Sequence, residues 1–137
     1  PINFLKAQFK REAGQLKLFL PELAVSGNKA TIDLHESRSK QAAELSPDSE
    51  LTIGIRPLDI KAYNTEVPGG IPGKIFFVEF LDEFNILTVQ IEEKKLLVEA
   101  PKDLHVRLDD PVWLKFNELK VHFFDAEHGK NVLKKAS

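Results

Sequence analysis

The chain contains no cysteine, which excludes disulfides, thiolate metal sites and a cysteine nucleophile and fits a reducing compartment. No apolar run approaches the roughly 20 residues that a bilayer-spanning helix needs, and no charged-then-apolar leader opens the sequence. Strong charge of either sign is missing too. Nineteen Lys and Arg stand against 21 Asp and Glu, a formal net charge of −2, so there is no bulk attraction to nucleic acid or anionic lipid. The expectation is a soluble, cytosolic chain with neither of these as its primary partner. Methionine is also absent and the first residue is Pro1, which suits a fragment of a longer protein or a chain trimmed of its initiator.

What is present is alternation. The 137 residues, 42% of them hydrophobic, can bury roughly 68% of their unfolded surface, enough for one real core. The dominant period is two rather than 3.6, in short runs divided by turn residues, so the fold class is mainly β. FLKAQFKRE (4–12) and QLKLFL (15–20) read as a hairpin about Ala13-Gly14. KATIDL (29–34) follows a turn at Ser26-Gly27-Asn28. ESRSKQAAEL (36–45) loses the alternation and reads as a short helix or mobile loop, SPDSE (46–50) as a turn, and LTIGIRP (51–57) as strand again. KAYNTEVPGGIPG (61–73) is rich in proline and glycine, which predicts a connection without regular structure and the best internal boundary. Submodules of about 1–62 and 71–137, sharing strands, are expected around it. GKIFFVEFLDE (73–83) sets Phe76, Val78 and Phe80 against Ile75, Phe77, Glu79 and Leu81. NILTVQI (85–91), KLLVEA (95–100), VWLKFN (112–117) and KVHFFD (120–125) complete the series of short strands. That pattern points to a five-stranded oligonucleotide/oligosaccharide-binding (OB) type barrel with an additional small sheet.

Catalytic and nucleotide motifs are missing. Gly69-Gly70 and Gly73 are interrupted by prolines and lead into a strand, unlike a phosphate loop. His35, His105, His122 and His128 have no metal-ligand spacing. The acidic pairs Asp82-Glu83, Glu92-Glu93 and Asp109-Asp110 sit in turns, where neighbouring carboxylates point into water. No GxSxG elbow supports a serine nucleophile. Ten phenylalanines and Trp113 invite a base-stacking reading, but their alternation assigns most phenylalanines to the core. An exposed patch around Phe77, Phe84 or Phe124 would instead mark a protein contact.

Three separated segments carry a resemblance. GIRPLDI (54–60), INFLKAQF (2–9) and KVHFFDAEHGKNV (120–132) resemble, in order and spacing, elements of the C-terminal region of ATP-binding subunits of carbohydrate-importing ABC transporters, the maltose and glycerol-3-phosphate importer type. VEFLDEFNILTVQIEEKKLLVEAP is similar to that family's barrel strands; Leu58, Asp82 and His128 depart from its pattern. The resemblance implies tandem OB-type modules, the transport-associated (TOBE) domain, in a chain that is not itself an enzyme. ATP, magnesium and the catalytic residues would belong to a nucleotide-binding domain N-terminal to Pro1, leaving this chain with no cofactor, catalytic residue or metal. It further implies a regulatory and dimerisation role at the inner face of the cell membrane. The expected partners are a second copy of the ATPase subunit, the permease subunits and a regulatory protein, and not nucleic acid. Gly54, Arg56, Pro57 and Asp59 are expected to form a structural motif: Gly54 lets a neighbouring backbone approach, Pro57 stops the strand, and Arg56 pairs with Asp59. Phe124 and Asp125 are the candidate protein contacts. The alternative is a small-ligand module for an oxyanion such as molybdate, or a sugar, for which the loop 64–74 offers the best set of backbone amides.

Overall fold

The computed structural model describes residues 1–38, 41 and 50–125. Strands dominate, as the period of two requires. β1 (Asn3–Glu12) and β2 (Gln15–Phe19) form a hairpin whose two loop residues, Ala13 and Gly14, both hold positive φ, 51° and 80°. That is the turn whose twist suits a two-residue hairpin. β3 (Thr31–Asp33) adds to β2, and β4 (Glu50–Ile55) adds to the other side of β1. The chain then leaves this sheet, builds a second one, and returns as β10 (His122–Asp125), which pairs with β4. The first sheet is therefore ordered β10-β4-β1-β2-β3.

The second sheet holds β5 (Ile60–Tyr63), β6 (Ile71–Phe80), β7 (Phe84–Ile91), β8 (Lys94–Pro101) and β9 (Pro111–Phe116), ordered β5-β9-β6-β7-β8. β8 packs back against β5, and the sheet curls into a nearly closed barrel. All ladders are antiparallel. Leu87, Val89, Ile91, Leu96, Val98, Val112 and Leu114 fill the barrel, while Leu5, Leu18, Ile53 and Phe123 fill the first sheet's inner face. Each such side chain contributes roughly 1.5–3 kcal/mol on leaving water. Mainly β with an OB-type barrel and an additional sheet is thus the architecture observed.

Three details differ from the sequence expectation. The stretch 61–73 is not without regular structure: Ile60–Tyr63 form β5, paired with Trp113–Phe116, and β6 begins at Ile71. The alternation of β6 is broken by a bulge, because pairing passes from Ile75 opposite Val89 to Phe77 opposite Thr88 and leaves Phe76 as an extra residue. A bulge shifts the side-chain parity by one. Ile75 and Val78 therefore share the inner face, while Phe76, Phe77 and Phe80 are 51%, 55% and 73% exposed. Consequently most phenylalanines do not belong to the core; of the ten, only Phe9 and Phe123 are buried. The expected helix or loop at 36–45 opens as a single 3-10 turn, Glu36–Arg38. Most of its remainder, and residues 126–137, lie outside the described residues.

Candidate functional site

Parts of the three segments that carry the family resemblance lie side by side: Asn3–Phe9 in β1, Gly54–Ile55 in β4 and His122–Asp125 in β10. β1, β4 and β10 are adjacent, with Phe4, Gly54 and His122 in one cross-strand row and Leu5, Ile53 and Phe123 in the next. The second row is buried; the first faces outward. Above Gly54 the exposed Phe4 meets Phe124 edge to face, ring centres 6.0 Å apart. A Cβ on Gly54 would stand 2.9 Å from the Phe124 ring, 3.2 Å from Ile2 and 3.4 Å from Phe4. The expected close approach at Gly54 is therefore made by side chains rather than by a backbone. Of Asp125 the structure gives the strand position, opposite Leu51.

The chain crosses between sheets at the 3-10 turn Pro57–Asp59, where Pro57 takes the first helical position, the place its fixed φ suits. Arg56 Nε lies 3.2 Å from Asp59 Oδ2, with Asp59 buried and Arg56 half exposed. The Asp59 N–H donates to the Arg56 carbonyl, and the Asp59 carbonyl accepts from the Asn117 N–H, each at 2.9 Å. Asn117 follows β9, so the turn ties the entrance of the barrel to its exit.

Two polar clamps hold distant segments together, neither of which the sequence reading singled out. Asn3 Nδ2 donates to the Leu97 carbonyl and Asn3 Oδ1 accepts from the Leu97 N–H, both at 2.8 Å. The carboxamide thereby completes a β8 backbone pair that no strand supplies. Arg38, buried in the 3-10 turn after β3, donates to the carbonyls of Glu118 and, at 2.7 Å, Val121, and its guanidinium lies 4.3 Å from the Phe123 ring centre. Burial lowers its pKa from the usual arginine value, against the raising effect of the Glu118 charge.

The loop 64–74 contributes half of a cleft of about 640 Å³. Glu66, Val67, Pro68, Gly69 and Gly70 form one wall, and Gly27, Asn28, Lys29, Ala30 and Thr31 the other. Asn28 fixes both: Nδ2 reaches the Gly70 carbonyl at 3.4 Å, while Oδ1 accepts from the Ala30 N–H at 2.8 Å. Gly69 adopts φ 75°, a conformation glycine takes without steric cost. The charged groups of the two walls are one ammonium, Lys29, and one carboxylate, Glu66. The two formal charges cancel, so the lining offers a bare anion no net positive field. Among the described residues no group of three or more His, Cys, Asp or Glu is placed to hold a metal, and no helix is long and apolar enough to cross a membrane.

No family model matches the chain, and no curated protein matches it in sequence. Among solved structures it is similar to the cytoplasmic molybdate-binding protein ModG in a crystal form with molybdate bound, at TM-score 0.62 and 12% identity over 88% of this chain and 94% of that one. The likeness covers most of the chain and shows the fold, a mainly β arrangement of OB-like tandem modules.

Proposed function

We propose that the chain is a non-catalytic regulatory and dimerisation domain of the ATP-binding subunit of an ABC importer, serving uptake of a sugar or sugar-like solute. The observation that supports this reading best is the convergence of β1, β4 and β10. Segments 50 and 68 residues apart at the paired positions Phe4, Gly54 and His122, each resembling one element of that transporter family, contribute neighbouring strands around Phe4, Gly54 and Phe124. A tandem TOBE-type fold is what such a domain requires, and the ModG likeness over nearly the whole chain supports it. In this reading the Phe4–Phe124 cluster is the contact for a protein partner, and ATP with magnesium is held by a preceding nucleotide-binding domain. The test is the coding sequence upstream of the Pro1 codon. An in-frame nucleotide-binding domain with a phosphate loop is expected; a start codon directly before Pro1 would overturn the assignment.

The cleft between Gly27–Thr31 and Glu66–Gly70 favours a second reading, a small-ligand module, and ModG, a molybdate-binding protein of like fold, gives it weight. Titration calorimetry with molybdate, sulfate and a panel of sugars decides it. Micromolar binding that is lost in Asn28→Ala supports the module, and silence across the panel at millimolar ligand removes it.

A further inference from the structure

We infer that the outer face of β6, β7 and β8 docks a second copy of this chain. The inference rests on the proposed pairing role and names the surface that performs it. Three cross-strand rows make up the face. Lys74, Gln90 and Lys95 form the first, Phe77, Thr88 and Leu97 the second, and Glu79, Ile86 and Glu99 the third. The first row carries two positive charges, the last two negative ones, and the middle is apolar. The bulge at Phe76 adds a further exposed ring beside Phe77, with Lys95 Nζ 4.3 Å from its centre.

Among the described residues, no carboxylate of the chain pairs with Lys74 or Lys95 and no cation pairs with Glu79 or Glu99. The two charged rows are four residues apart along β7, roughly 13 Å at strand rise. That exceeds the roughly 8 Å screening length of physiological salt, so they do little to neutralise each other within one copy. A twofold axis lying in the interface and crossing the strands at Thr88 brings each positive row against the partner's negative row. Lys74 then faces Glu79 of the second copy, Lys95 faces Glu99, and the Phe77 rows meet in the centre. An axis along the strands would oppose like charges, so the pattern selects one orientation. Sheets packed this way stand about 10 Å apart. Three short strands cover far less than the roughly 800 Å² per partner of a standard interface, so the isolated chain pairs weakly.

The experiment is sedimentation equilibrium of the chain up to about 1 mM, a concentration that detects weak association, in low and high salt. The expected result is a monomer–dimer equilibrium that weakens as salt rises. The double variants Lys74→Glu/Lys95→Glu and Glu79→Lys/Glu99→Lys, each checked for wild-type circular dichroism, should each be monomeric alone and pair when mixed. A monomeric wild type at the highest concentration overturns the inference, as does a dimer that persists in both double variants. A dimer abolished by Phe4→Ala but indifferent to charge reversal would move the contact to the first sheet and overturn it as well. None of these outcomes touches the transporter reading, which stands or falls on the coding sequence.

Discussion

Each sheet has five strands, yet the two solve the edge problem differently. The barrel is built mostly from successive strands, β6 to β9, and curls until β8 meets β5. Where the ladder fails, the Asn3 carboxamide stands in for a strand at Leu97. The first sheet stays open and is completed only when the chain has passed through the barrel and come back as β10. One module is held by local connections, the other by long-range clamps. Rigidity should follow the same division, because unprotected edges and distant pairings open more readily than closed ladders.

The largest break in that comparison should come from Arg38→Ala. It strands the Glu118 and Val121 carbonyls and uncovers Phe123, for a loss of about 4 kcal/mol, since bonds from a charged donor are each worth about 1.5–3 kcal/mol. Native-state hydrogen exchange should show β10 and β4 losing protection while β7 and β8 keep theirs; uniform loss would mean that the sheets do not open separately. Next come two of the crowded glycines. A Cβ on Gly73 stands 2.7 Å from Val89 and 2.8 Å from Ile91 inside the barrel. Gly73→Ala should therefore cost about 3 kcal/mol, as overpacking a fixed interior does. Gly54→Ala meets the ends of rings that can swing outward, and should cost about 1 kcal/mol by the same reasoning. Equal losses in chemical denaturation would erase the distinction between a closed and an open sheet.

Asn3→Ala removes both bonds to Leu97 and should cost about 2 kcal/mol through the unpaired β8 backbone groups. Exchange at Leu97 is the readout that separates this local loss from a general one. The smallest effect is expected for Arg56→Ala. With Arg56 half exposed, solvent screening keeps the ion pair with Asp59 under about 1 kcal/mol, and the difference in melting should shrink as salt rises.

How much of this was legible in the sequence depends on what each residue's neighbours do. β1, β2, β7, β8 and β9 could be read from alternation because one face of each is buried, so the period of two is imposed by the core. β5 could not: four residues, Ile60 to Tyr63, between Pro57 and a proline-glycine loop give too few repeats for a period to show. The bulge at Phe76 was invisible for a different reason. Parity is a local property, whereas a bulge is fixed by the partner strand, here by Val89 and Thr88. Assigning most phenylalanines to the core failed at the same place, since strict alternation from the buried Ile75 puts Phe77 on the packed face whereas the bulge turns it outward, and Phe80, in line with Val78, stands exposed at the end of β6. The glycine-rich wall of the cleft was visible in the loop 64–74. Its other wall lies some 40 residues earlier, and only Asn28, a turn residue that also reaches Gly70, joins the two.

The route of the chain through the molecule has a consequence for how such a protein can vary. Gly54 and His122 sit opposite one another on paired strands, so the whole barrel hangs from two adjacent points, as a parenthesis hangs within a sentence. Whatever is written between those marks, the β4–β10 ladder already holds its ends together. Lengthening or replacing the enclosed text then changes the closure entropy only logarithmically. A chain laid out in this way can exchange its barrel for another of different size and still keep the frame that its first and last strands share.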